Sequence, residues 1–302
     1  MDGEGALQFL DKTTVPKPLY LAISGQTMYA VLRQPFTDCA DSGLVCFDIA
    51  PDGSLENETE IRSTLGEEGC HLCIFDGSVY VANYTSGSVV KIPDRLIRHY
   101  GSSIHPDRQS APHPHFICPT PDKKYLCAAD LGLDKLLIYD KTLTLISEAS
   151  VPPESGARHI VFSSDGRFAY CVNELDSTVS VFRYHSGKLE LLRTYSALKS
   201  PDGKSAAAAI RLNENRLYVS NRGDDSITCF KAAGEFLYRE SITKCGGRSP
   251  RDFNIAGNIL LCANEADNCV TQFKIAGENL ISAGTKLKLE HPLCIIYRER
   301  SE

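Results

Sequence analysis

The sequence predicts an all-β propeller, a ring of four-stranded antiparallel blades, and three observations carry that prediction. Short apolar runs ending in Asn or Asp recur along the chain, as in "YVANYTSGSVVKI", "CAADLGLDKLLIY", "YCVNELDSTVSVF", "YVSNRGDDSITCF" and "LCANEADNCVTQF". Their Asn or Asp positions are Asn83, Asp130, Asn173, Asn221 and Asn264, each followed nine residues later by Ile92, Tyr139, Phe182, Phe230 or Phe273. These units step by 47, 43, 48 and 43 residues, the length of a propeller blade. Helical periodicity is nearly absent, and alternating runs are instead separated by Asp-Gly and Pro-Asp turns, as in "HIVFSSDGRFAYCVN" and "HFICPTPDKKYLCAAD".

Within each unit the hairpin supplies strands one and two, and the recurring motif supplies the end of strand two and all of strand three. A stretch such as "SGKLELLRTY" or "GEFLYRESI" supplies strand four. Six units follow at 18–68, 69–111, 112–156, 157–206, 207–249 and 250–290, within one domain spanning 1–302. The chain has no Trp, so these are not Trp-Asp blades. The tail "HPLCIIYRER" (291–300) reads as the innermost strand of a seventh blade and "GALQFLDKT" (5–13) as its outermost. No segment supplies the two strands between them. An incomplete seventh blade is expected, with a natural start upstream of Met1 and an unpaired edge that invites self-association.

Composition narrows the function classes. A net charge of −6 gives nucleic acid and acidic membrane little to attract. No apolar run approaches the roughly 18 residues that cross a bilayer. The start "MDGEGALQFLDKTT" lacks a basic segment followed by an apolar one, so no signal peptide and a cytoplasmic location are expected. Most of the 12 cysteines lie within apolar strand-like runs and read as reduced, buried side chains. "CHLC" at 70–73 lacks the second pair that a structural zinc site needs, and Cys73 reads as a strand residue. Neither a metal nor another cofactor is expected.

Propeller topology brings the start of strand one and the end of strand two to the same mouth of the central channel. Strand-one starts give Cys70 and His71, His115, Arg158 and His159, then Arg251 and Asp252. Strand-two ends give Tyr84, Asp130, Glu174, Arg222 and Glu265. The Asn strip follows from turn chemistry, and the same reading covers Asn173, Asn221 and Glu265 without a metal. Arginines and histidines do not follow from turn chemistry. Like charges gathered at one mouth cost stability unless Glu174 or a bound anion offsets them. Arg158 and Glu174, sixteen residues apart, are expected to meet there.

The strings "RQSAPHPHF", "AADLGLDKLLIY", "SGARHIVFSSDGRFAYCVNELDSTVSVFRY", "YVSNRGDDSI" and "RSPRDFNI" resemble the lactonase-type seven-bladed propeller family. That family includes a class of 6-phosphogluconolactonases and the fungal 3-carboxymuconate lactonising cyclases. The resemblance runs from about residue 18 to the C-terminus and implies seven blades with an active site at one channel mouth. It also implies a catalytic set of one His, two Arg and one Glu, which falls on His115, Arg158, Arg222 and Glu174. "GARH" stands where the family has Gly-Pro-Arg-His, and the family's N-terminal Gly-Thr-Tyr-Thr strand has no counterpart.

These residues suit lactone hydrolysis, which needs a base for water, cationic donors for the oxyanion and an acid for the leaving alkoxide. Glu174 or His115 is the expected base and Arg158 the oxyanion donor. His71, His113, His159, Arg222 and Arg251 are expected to bind the substrate's phosphate or carboxylate. The absence of a G-x-S-x-G nucleophile elbow argues against an acyl-enzyme. A small anionic lactone, with 6-phosphogluconolactone the leading candidate, is the expected partner. A carboxymuconate-type cycloisomerase and a non-catalytic propeller that binds a small anion or a partner remain alternatives.

Overall fold

The computed structural model describes residues 7–200 and 205–298. Among them are six antiparallel sheets in chain order, each with its first strand innermost. The inner strands are Pro18–Ser24, Gly69–Phe75, Pro114–Pro119, Ala157–Phe162, Ala206–Asn213 and Pro250–Ala256. Five sheets have four strands, and the outer strand of the first blade is broken into Leu55–Glu56 and Arg62–Ser63. The only helical element among the described residues is a 3₁₀ turn at Glu265–Asp267, so no helix is long and apolar enough to cross a membrane.

The nine-residue spacing has a simple cause, visible in the fourth blade. Asn173 closes strand two opposite Thr178, and Phe182 lies four positions along strand three, opposite Ala169. Asn173 is buried and donates to Thr178 Oγ1 (2.8 Å) and Ser180 Oγ (2.9 Å), tying strand two to strand three. Asn221 does the same with Ser226 and Thr228, and Asn264 with Thr271. Phe182, Phe230 and Phe273 each fill an apolar layer between adjacent blades. Burial of such side chains is the main stabilising term, about 1.5–3 kcal/mol each.

Every junction from the first blade to the sixth has its own apolar layer. Between the sixth and first blades the packing differs. Residues 291–298 run there without forming a strand. They are fixed by side chains of the sixth blade: Ile295 N–H donates to Asp252 Oδ2, and Asn254 Nδ2 donates to Ile295 O, both at 2.9 Å. The expected outer strand 5–13 is not seen either. Gly5 and Ala6 lie outside the described residues, and residues 7–13 form no strand. Neither segment joins a β ladder.

Candidate active site

A polar cavity of ≈ 150 Å³ opens at one mouth of the channel. Its walls are built by a repeated backbone device. In each inner strand the register slips at the mouth end, between Pro18 and Tyr20, Gly69 and His71, Pro114 and Phe116, Ala157 and His159, Ala207 and Ile210, and Pro250 and Asp252. In the fifth blade the slip spans Ala208 and Ala209, which do not line the cavity. In the other five strands it leaves one residue unpaired and re-aims it. Leu19, Cys70, His115, Arg158 and Arg251 are those residues, and all five line the cavity. The residue that follows strand two adds Arg33, Tyr84 and Glu174, and strand two of the fifth blade ends on Arg222.

Arg158 and Glu174 do meet. Arg158 Nε donates to Glu174 Oε2 at 2.8 Å, and both side chains are buried. Glu174 also takes Arg222 Nη2 on Oε2 at 2.9 Å and Arg108 Nη2 on Oε1 at 2.6 Å. Burial works to raise the Glu174 carboxyl, but Arg222, Arg158 and Arg108 outweigh it and hold the group well below the carboxylate range. Burial, then neighbouring Arg222, brings the Arg158 guanidinium down to about 10, so it stays charged at neutral pH. Arg158 is anchored further by Ala208 O at 2.6 Å, and Arg222 by Ala206 O and Ala207 O at 3.2 and 3.3 Å.

The other charges at the mouth pair one to one. Arg33 faces Glu68 at 3.2 Å and Arg251 faces Glu265 at 3.4 Å, while deeper in the channel Arg211 faces Asp252 at 2.7 Å. Glu174 alone is shared by three arginines, so the uncompensated positive charge sits around it. Such a cluster in a low-dielectric recess attracts a small anion.

His115 lies beside this cluster. Burial first, then Arg158, pushes its pKa well below the ordinary imidazole value, so the ring is neutral at physiological pH. Its Nδ1 is enclosed without a hydrogen-bond partner, which leaves Nε2 as the nitrogen available to the cavity. His159 also lines the cavity, with Nε2 3.1 Å from Arg158 Nη1, and is held neutral by burial and by Arg158. Burial raises the Cys70 thiol to about 12, which makes it a wall rather than a nucleophile. Among the described residues no three His, Cys, Asp or Glu side chains converge in a metal-holding arrangement.

Of the residues singled out from sequence, His115, Arg158, Glu174, Arg222, His159 and Arg251 come together around the cavity. His71 and His113 do not line it. His71 sits deeper in the channel, its ring between Tyr20 (4.3 Å) and Phe116 (3.8 Å), because it follows the bulge and Cys70 takes the mouth position. His113 lies behind Tyr84, stacked on its ring at 4.3 Å with Nδ1 3.0 Å from Tyr84 O. Arg108 and Arg33 also line the cavity and were not expected from the sequence, whereas Tyr84 stands where the strand-two ends place it. The "RQS" string that carries Arg108 was a signal of resemblance, but it lies in an aperiodic loop.

A β-propeller whose channel mouth gathers arginines around one buried carboxylate, beside a neutral histidine, is the architecture this chain presents. The comparisons make the class specific: the description "Lactonase, 7-bladed beta-propeller" matches residues 2–297, and the chain belongs to that family. An uncharacterized protein of Staphylococcus aureus (strain bovine RF122 / ET3-1) is 34% identical over 267 residues, covering 80% of this chain and 77% of its own length. Among solved structures, a candidate 6-phosphogluconolactonase of Bacteroides fragilis superposes with a TM-score of 0.83 at 29% identity, covering 92% of this chain and 86% of its own. The periplasmic gluconolactonase of Pseudomonas aeruginosa gives 0.85 at 27% identity, covering 96% and 91%.

Proposed function

We propose that the chain is a metal-independent lactonase that opens a small anionic sugar lactone, with 6-phosphogluconolactone as the leading substrate. The observation that carries this reading is the shared carboxylate: one Glu174 against Arg108, Arg158 and Arg222, next to neutral His115. The gluconolactonase and candidate 6-phosphogluconolactonase among the similar structures support the substrate class.

In this reading His115 Nε2 accepts a proton from water as the water oxygen bonds to the lactone carbonyl carbon. Arg158 and Arg222 donate to the oxyanion that forms. Collapse breaks the ring C–O bond, and the imidazolium returns its proton to the departing alkoxide, giving the hydroxy acid. Glu174 is too weak a base for the first step, since three arginines hold it ionised. Its work is to orient those arginines. An anionic substrate opposes the field of Arg158 and moves His115 back toward its ordinary pKa, which improves the base when substrate is bound.

We also infer that residues 291–298 occupy the inner-strand position of the seventh blade that the family description implies. Support comes from their seat beside the inner strand of the sixth blade, held by Asp252 and Asn254.

The test is a panel of aldonolactones with and without phosphate, run beside 3-carboxymuconate. Catalysed opening of the lactones with no turnover of the muconate is expected. Turnover of the muconate alone would transfer the site to cycloisomerisation.

A further inference from the structure

Glu174 keeps three arginine partners, and they are not equally bound. Arg158 is 3% exposed and also tied to Ala208 O, and Arg222 is 18% exposed and also tied to two carbonyls. The Arg108 side chain is 40% exposed, and its guanidinium reaches only Glu174 Oε1 at 2.6 Å and the Tyr84 hydroxyl at 3.4 Å. If Arg108 turns away, Glu174 retains two partners and no carboxylate is stranded. Moving Arg33, Arg211 or Arg251 would instead leave a carboxylate without its single cation.

The backbone below Arg108 is fixed. Neighbouring Gln109 is fully buried, donates from Nε2 to Leu131 O at 2.8 Å and accepts His105 N–H on Oε1 at 3.1 Å. The Arg108 N–H donates to His105 Nδ1 at 3.3 Å. The loop therefore holds the base of Arg108 beside the mouth while its long side chain is free to change partner.

We propose that Arg108 is the specificity residue of the site: it is held by Glu174 and turns to take the phosphate or carboxylate of an entering substrate. Guanidinium geometry fits either anion with two parallel hydrogen bonds. The Tyr84 hydroxyl, released from Arg108, becomes free to donate to the same group. This deepens the lactonase reading and rests on it for the substrate, but the anion subsite is testable without turnover.

The experiment is calorimetric titration of inorganic phosphate and of acetate into wild type, Arg108→Gln, Arg108→Lys and Arg33→Gln, with melting curves as a folding control. Wild type should bind phosphate, and Arg108→Gln should weaken binding by about tenfold or more. Arg108→Lys should recover part of that loss, since it restores the charge without the planar fork. Arg33→Gln should cost less than about threefold, because Arg33 already has its own carboxylate. Tighter binding of phosphate than of acetate assigns the subsite to a phosphate, and the reverse to a carboxylate. The proposal is overturned if wild type binds neither anion, if Arg108→Gln binds as wild type does, or if Arg33→Gln loses as much. Should Arg108→Gln fail to fold, Arg108→Lys against wild type decides, with undiminished affinity counting against the proposal. In turnover, Arg108→Gln should lower the preference for a phosphorylated over an unphosphorylated lactone by a similar factor. Phosphate binding that depends on Arg108 in a protein that opens no lactone would reject the function and leave the subsite standing.

Discussion

At the scale of single residues the site trades stability for charge. His71, His115 and His159 are all buried, and burial followed by the arginine fields keeps each pKa well below the usual imidazole value. In the unfolded chain they titrate near the ordinary value of about 6.5, so below that pH the unfolded state binds more protons than the folded state. Stability contributed by the neutral rings is therefore complete above about pH 6.5 and falls as the pH drops below it. Glu174, depressed in the same way, adds a second loss only once the pH reaches the ordinary carboxylate range of about 4.3. Urea midpoints are expected to decline between about pH 7 and pH 5, before Glu174 protonates. A flat profile over that interval would mean that the histidines are already solvated or paired. The meeting of Arg158 with Glu174 was legible in the sequence, because strand order alone brings their positions together. Arg108 was not, because its loop has no period from which a position can be read.

At the scale of elements, the blades were legible and the bulges were not. The Asn-to-aromatic spacing marks one strand end and one core position in each motif, so it fixes where a blade turns. A bulge adds a residue at the mouth, where few flanking residues remain to show a phase change. For that reason the sequence placed Cys70 and His71 together at the mouth, whereas only Cys70 occupies the cavity wall. The 99–113 segment depends on a different local feature. A Cβ placed on Gly132 would stand 1.9 Å from Ala111 O and 2.8 Å from His113 N, both backbone atoms that cannot move without shifting the segment. Gly132→Ala is expected to destabilise the fold by about 1–3 kcal/mol. It should also weaken phosphate binding, because the segment carries Arg108. A denaturation curve and phosphate titration matching wild type would show that the segment relaxes without effect on the site.

For the whole molecule, the six described blades pack through five apolar layers, while the sixth and first face each other across a groove. Leu261, Val270, Leu287 and Leu289 line one side of it, and Met28 and Leu55 the other. Phe9 and Leu10, which also border it, are 82% and 64% exposed. Exposed apolar surface of this kind promotes association. We expect concentration-dependent self-association in sedimentation, reduced by Leu289→Lys, and a monomer at all concentrations would count against it. The opposite feature is the surplus of positive charge around Glu174, which we propose selects an anionic lactone. The most direct test of that selection is the ratio of kcat/KM for 6-phosphogluconolactone to that for gluconolactone in the wild-type chain, followed by NMR at low and high salt. A ratio of about ten or more that falls as salt is raised is the expected result. A ratio near one, or opening no faster than the spontaneous reaction, would contradict the account.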